Sequence, residues 1–141
     1  VDDTAAVLAV LKRRFPAILA PGADDICYAT SNRQSAVKAL AEQVDMVLVI
    51  GSPQSSNSMR LVEVAVRNGT RSTLIQRADD IDFAWFEGVR KVGITAGASA
   101  PELLVREVVE QIATRFDVTE REVETVAENI AFKLPRGLEA A

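Results

Sequence analysis

Asp45-Met46-Val47-Leu48-Val49-Ile50-Gly51-Ser52-Pro53-Gln54-Ser55-Ser56-Asn57-Ser58 is the stretch on which the fold turns. Its first half is an unbroken apolar run, Met46 to Ile50, closed by Gly51. A short run with no polar face predicts a strand covered on both sides, as in a parallel sheet. Its second half is rich in small hydrogen-bonding residues: Ser52, Gln54, Ser55, Ser56, Asn57 and Ser58. Leu61, Val62, Val64 and Ala65 then begin a helical pattern. The polar cluster therefore sits where a buried strand passes into a helix N-terminus. Open α/β sheets collect ligands at the carboxyl ends of their strands. A helix N-terminus adds unpaired N–H groups and a partial positive charge, which suit an anion such as phosphate. Ser and Asn are also the preferred N-caps. One residue is enough for a cap, so four in a row favour a ligand loop.

Upstream, Asp2-Asp3-Thr4 supplies N-cap types, and Val7, Leu8, Val10, Leu11 and Phe15 follow at near-helical spacing. This predicts a helix over about 3–15, stopped by Pro16, with a turn at Pro21-Gly22. No strand precedes it to pack against, and the chain opens at Val1 without Met. Both features are expected of a piece cut from a longer chain. Ile26-Cys27-Tyr28 reads as a short strand, with Thr30, Ser31 and Asn32 as N-cap candidates and Gln34 at capping-box spacing from Ser31. A helix follows through Val37, Ala39, Leu40 and Ala41. Downstream, Asn68-Gly69 signals a helix end. Ser72-Thr73-Leu74-Ile75 reads as a strand, Ala78 to Phe86 as one or two short helical turns, and Lys91 to Thr95 as a further strand. Phe83, Trp85 and Phe86 read as packing under the short turns. Pro101 at the first helical position opens a long helix with Leu103, Leu104, Val108, Val109 and Ile112 on one face. Thr119 to Val126 has a weak helical pattern, and Asn129 to Leu134 alternates like an edge strand ended by Pro135.

Strands alternating with helices predict an α/β fold. The expectation is a mostly parallel sheet of about four strands with helices on both faces, a three-layer α/β/α arrangement. The expected organisation is a helix and linker over 1–23, an α/β domain over 24–115 and a helix/strand tail over 116–141. A hydrophobic share of 48% against an aromatic share of 5% suits parallel strands under helices better than a sandwich. A net charge of −4 without a basic run argues against a nucleic-acid partner. No apolar stretch approaches the roughly 20 residues of a membrane span. A single Cys, which forms no internal disulfide, suggests a reducing, cytoplasmic setting. The absence of His removes the commonest general base and neutral metal ligand.

Three strand ends carry the residues with chemistry: Cys27-Tyr28-Ala29-Thr30, Ser55 to Ser58, and Gly97-Ala98-Ser99. In a parallel sheet they share one edge. A free Cys is usually a small buried hydrophobe, but a thiolate at a helix N-terminus has a lowered pKa and serves as nucleophile or metal ligand. Two readings of Cys27 therefore stand. Gly97 and Ala98 are small enough for backbone amides to approach a ligand, with Ser99 adding a hydroxyl. The same segment also reads as a plain turn, N-cap and Pro start. Neither loop contains Lys or Arg, and Arg33 and Arg60, one turn into their helices, read as facing solvent or a neighbour. The residues alone point to a small phosphorylated anion held by hydroxyls and amides near one thiol.

DDICYATSNRQ (24–34), VLVIGSPQSSNSMRL (47–61), VGITAGASAPELLV (92–105) and ENIAFKLP (128–135) together resemble the C-terminal part of the LytB family. These are the 4-hydroxy-3-methylbut-2-enyl diphosphate reductases of the methylerythritol phosphate route to isoprenoids. The resemblance implies an iron–sulfur enzyme of the 4Fe-4S type that removes the substrate hydroxyl with two electrons and protons, yielding isopentenyl and dimethylallyl diphosphate. It implies that Cys27 is a cluster ligand, that Ser55, Ser56, Asn57 and Ser99 bind the substrate diphosphate, and that Thr30 lies near the cluster. The family's other Cys ligands, its histidines and its proton-relay Glu have no counterpart here. The implied partners are an isoprenoid diphosphate, the missing upstream domains of the same chain and an external electron donor. The expectation for this chain alone is no cluster, no catalytic residues of its own and no activity, with apolar surface left exposed where a partner domain would sit and a tendency to associate. The rival reading is a stand-alone binding module for a phosphorylated small molecule, with Cys27 structural.

Overall fold

The computed structural model describes residues 2–18 and 28–123. Helix α1 spans Asp2–Arg14, α2 Tyr28–Ala41, α3 Ser56–Arg67 and α4 Glu102–Ala113. Strands β1 (Met46–Ile50), β2 (Arg71–Ile75) and β3 (Val92–Ala96) form one sheet in the order β2-β1-β3, with both pairs parallel. Central β1 aligns Leu48 with Thr73 on one side and Ile94 on the other.

All five residues of β1 are buried, because its side chains alternate between two covered faces. Met46, Leu48 and Ile50 pack with Ile75, Ile81, Phe86, Val108 and Ile112 under α4 and the 3₁₀ turns Ala78–Asp80 and Phe83–Phe86. Val47 and Val49 pack with Val37, Leu61, Val64 and Ala65 under α2 and α3. The expected three layers, with helices on both faces, are present. Phe83 and Trp85 pack partly buried against the first cluster, as read from sequence. Phe83, Phe86 and Phe116 form a ring cluster with centroids 5.7–6.2 Å apart, and the Arg115 guanidinium lies 4.1 Å from the Phe83 centroid.

Two long-range clasps tie the helical layer and the strands at the strand starts. The buried hydroxyl of Thr70 donates to the Ala41 carbonyl at 2.7 Å. The Asp45 carboxylate accepts from the backbone N–H groups of Arg90 and Lys91, both at 2.9 Å. Helix α3 closes at the Asn68-Gly69 signal, with Gly69 N–H donating to Val66 and Thr70 N–H to Ala65.

Several expectations are corrected. Three strands, not about four, stand among the described residues. Tyr28 belongs to α2 rather than to a strand, while Ile26 and Cys27 lie outside the described residues. The buried stripe Gln34, Val37, Ala41 extends back one turn to half-buried Thr30, which draws the helix start past Ser31 and Asn32. Those residues sit inside the helix and do not cap it. Leu103 is 63% exposed. It lies five residues before Val108, about 140° round the helix from the buried stripe. Pro101 holds the N-cap position of α4, one residue earlier than expected. Residues 119–123 have no regular structure, since a largely exposed, charged run has no apolar stripe to bury. Residues 124–126 and the expected strand 129–134 lie outside the described residues.

Candidate functional site

The carboxyl ends of β1 and β3 are extended by one glycine each. Gly51 N–H donates to the Ile75 carbonyl at 2.9 Å, and Gly97 N–H donates to the Ile50 carbonyl at 2.8 Å. The chain therefore leaves the sheet at the same level on neighbouring strands. The loop 52–55 leads into α3, and the turn 98–101 leads into α4.

Ser55 is the N-cap of α3; its backbone is extended and its Oγ accepts from Ser58 N–H at 3.3 Å. Ser55 N–H in turn donates to the Ser52 carbonyl at 2.9 Å. Ser52 Oγ bonds the Gln54 side chain and accepts from Gln54 N–H. These bonds hold the loop against the helix start. Ser56 and Asn57 occupy the first turn, where the helix leaves amides facing its N-terminal end. The Asn57 Oδ1 is buried with no hydrogen-bond partner among the described residues. Left as it stands the oxygen calls for a donor; with the amide turned over, its NH₂ would take that place and call for an acceptor.

Ser99 lies in the turn after β3, exposed, with Ala100 N–H donating to the Gly97 carbonyl at 3.0 Å. Because Pro101 holds the α4 N-cap and has no side-chain cap bond, Ser99 is not that helix's cap. The segment is thus a turn that leads to a helix started by Pro101, and both readings of it, plain turn and ligand loop, stand. Gly97 also brings the two loops together: a Cβ there would stand 2.5 Å from Ser58 Oγ. Thr30 is in the first turns of α2, half-buried. Since α2 ends where β1 begins, its start lies toward the same sheet edge. Cys27 lies outside the described residues.

The charge pattern agrees with an uncharged cradle. Arg60 turns along its helix to Glu63, with N···O 2.7 Å. Among the described residues no group of three or more His, Cys, Asp or Glu is arranged to hold a metal ion. An open cleft of about 600 Å³ lies elsewhere, at the strand starts, beside Met46, Thr70, Arg71 and Trp85. Ser72, whose buried Oγ also lacks a partner among the described residues, lines it. Strand length separates that cleft from the rim of Ser and Asn residues.

Sequence reasoning singled out Ser55, Ser56, Asn57 and Ser99, and the fold brings their two loops side by side. It missed Ser58 and Gly51 as the packing between them. The available signal was a glycine at the end of each neighbouring strand.

The chain is similar to known proteins. A family model described as LytB protein matches residues 1–113. The chain is 56% identical over 138 residues to the 4-hydroxy-3-methylbut-2-enyl diphosphate reductase of Phenylobacterium zucineum, covering 98% of this chain and 44% of that protein. It is 57% identical over 137 residues to the protein of the same name from Cereibacter sphaeroides, covering 96% and 43%. Among solved structures, the E-1-hydroxy-2-methyl-but-2-enyl-4-diphosphate reductase of Plasmodium falciparum superposes with a TM-score of 0.76 at 30% identity, covering 89% of this chain and 42% of that one. The chain thus spans less than half the length of the curated relatives it matches.

Proposed function

The chain belongs to the LytB family, and we propose that it supplies the diphosphate-holding half of the active site of a 4-hydroxy-3-methylbut-2-enyl diphosphate reductase. In this reading residues 24–115 form the last domain of the enzyme, 1–23 belong with a preceding domain, and 116–141 form a tail. Ser55, Ser56, Asn57 and Ser99 bind the substrate diphosphate through hydroxyls, an amide and the amides of the α3 start. The observation that carries this is the buried Asn57 Oδ1, unpaired among the described residues, in the first turn of α3 next to Ser58, which lies against Gly97 at the start of the turn that holds Ser99. A dozen residues of helix supply the partial charge that a Lys or Arg would otherwise provide.

The chain's own residues do not fit a 4Fe-4S cluster. It has one Cys and no His, whereas such a cluster is held by several thiolates. Cys27 supplies at most one ligand, with Thr30 nearby, and the remaining ligands belong to a protein of the relatives' length. The hydroxyl-removing chemistry and its external electron donor belong to that whole protein, in a cytoplasmic setting. Among the described residues no helix is long and apolar enough to cross a membrane.

The test is a titration of this chain with inorganic pyrophosphate, and separately with an isoprenyl diphosphate, followed by backbone amide shifts. Movement confined to 30–31, 52–58 and 97–101 supports the site. Movement centred on the cleft beside Arg71 and Trp85, or none at either site, overturns it.

A further inference from the structure

We propose that Ser58 is a positioning residue: its side chain is the spacer that sets the separation of the two diphosphate-holding loops, and glycines at 51 and 97 leave room for it. This rests on the function proposed above.

Ser58 is 1% exposed in the first turn of α3, with its N–H bonded to the Ser55 cap. It lies against the ends of both strands. A Cβ on Gly51 would overlap Ser58 Oγ and stand 2.7 Å from Ser58 Cβ. A Cβ on Gly97 would stand 2.5 Å from Ser58 Oγ but 3.7 Å from Ser58 Cβ. Neither glycine can retreat, because each donates its N–H into the sheet, Gly51 to Ile75 and Gly97 to Ile50. The part that gives way is therefore the start of α3. Moving it carries Ser55, Ser56 and Asn57 away from Ser99.

The two glycines differ in a way that makes the idea testable. At Gly97 the conflict is with the hydroxyl alone, since 3.7 Å to Cβ is ordinary contact. Removing the hydroxyl with Ser58→Ala relieves it. At Gly51 the conflict extends to Cβ, which alanine retains, so Ser58→Ala does not relieve it.

The experiment measures pyrophosphate affinity and amide shifts for this chain in a double-mutant cycle. Gly97→Ala is expected to weaken pyrophosphate about tenfold, the worth of one lost charge-assisted hydrogen bond. Gly97→Ala with Ser58→Ala returns to within about twofold of Ser58→Ala alone. Gly51→Ala with Ser58→Ala stays as weak as Gly51→Ala. Unchanged affinity in Gly97→Ala, or rescue of both glycine variants or of neither, overturns the proposal. A merely destabilising substitution would not show this selective rescue. If the unaltered chain binds no pyrophosphate, the functional reading fails, and the spacer is judged by shifts alone. Gly97→Ala must then move the amides of 55–57 and Ser58→Ala must return them; their staying in place overturns it. If Gly97→Ala does not fold, the doubly substituted chain must, and its failure to fold is equally decisive against the spacer.

Discussion

Asn57 holds a buried amide oxygen that nothing among the described residues satisfies. An unpaired buried polar group costs about 1–3 kcal/mol, so the residue contributes little to stability where it stands. Asn57→Ala is therefore expected to keep or raise urea stability, by up to about 1–3 kcal/mol. The same variant weakens pyrophosphate about tenfold, one charge-assisted bond, by calorimetry. A stability loss without an affinity loss would contradict both readings. Asp45 is the opposite case, a side chain that serves the fold alone. The backbone N–H of Arg90, and then that of Lys91, hold its carboxyl below the usual aspartate value, although desolvation works the other way. A depressed folded-state pKa adds stability that is present above the unfolded value and is lost as pH falls through the folded one. The thermal midpoints of the parent and Asp45→Ala should thus differ at neutral pH and converge as the pH drops below the ordinary aspartate range. A gap that persists at low pH would show that the clasp does not depend on charge. Asn57 was visible in the sequence as a polar residue at a helix start. The Asp45 clasp was not, because its partners lie 45 and 46 residues away.

At the scale of elements, α3 does two jobs with one end. Ser55 caps it and borders the anion site proposed above. Ser55→Ala removes a cap worth about 1 kcal/mol, and a urea titration should show that loss together with weaker pyrophosphate binding. Loss of stability with full affinity would confine Ser55 to capping. The stretch 46–58 was readable because strand, loop and helix each declare themselves locally, through an unbroken apolar run, small polar residues, and Leu61, Val64 and Ala65 at helical spacing. Helix α2 was less readable. Thr30, Ser31 and Asn32 are cap types, yet the stripe beginning at Thr30 sets where the helix starts. In α4, Leu103 and Leu104 are equally apolar, and only the direction of the sheet separates the exposed one from the partly buried one.

At the scale of the molecule, the α/β unit closes its own core on both faces of β1, while α1 leaves Val7, Val10 and Leu11 exposed, as is Phe15 just after it. The core alone is enough to build the rim of hydroxyls. It is not enough to hold a cluster, because a single thiol is all the chain provides. Anaerobic reconstitution of this chain with iron and sulfide is expected to yield no stable four-iron cluster, as judged by visible absorbance and metal content. A brown protein with full iron and sulfide content would overturn that, and with it the division of labour between this half of the site and the rest.

Residue order was sufficient for the parallel α/β class and the polar strand-to-helix loop that holds Ser55, Ser56 and Asn57. Each of these follows from periodicity and capping within a dozen neighbouring residues. Three-dimensional packing settled the rest: that Ser99 is not a cap, that Leu103 faces outward, and that Ser58 lies against both Gly51 and Gly97. Those facts depend on the alignment of β1 with β3, which brings residues more than forty positions apart to the same level, and no local pattern records such an alignment.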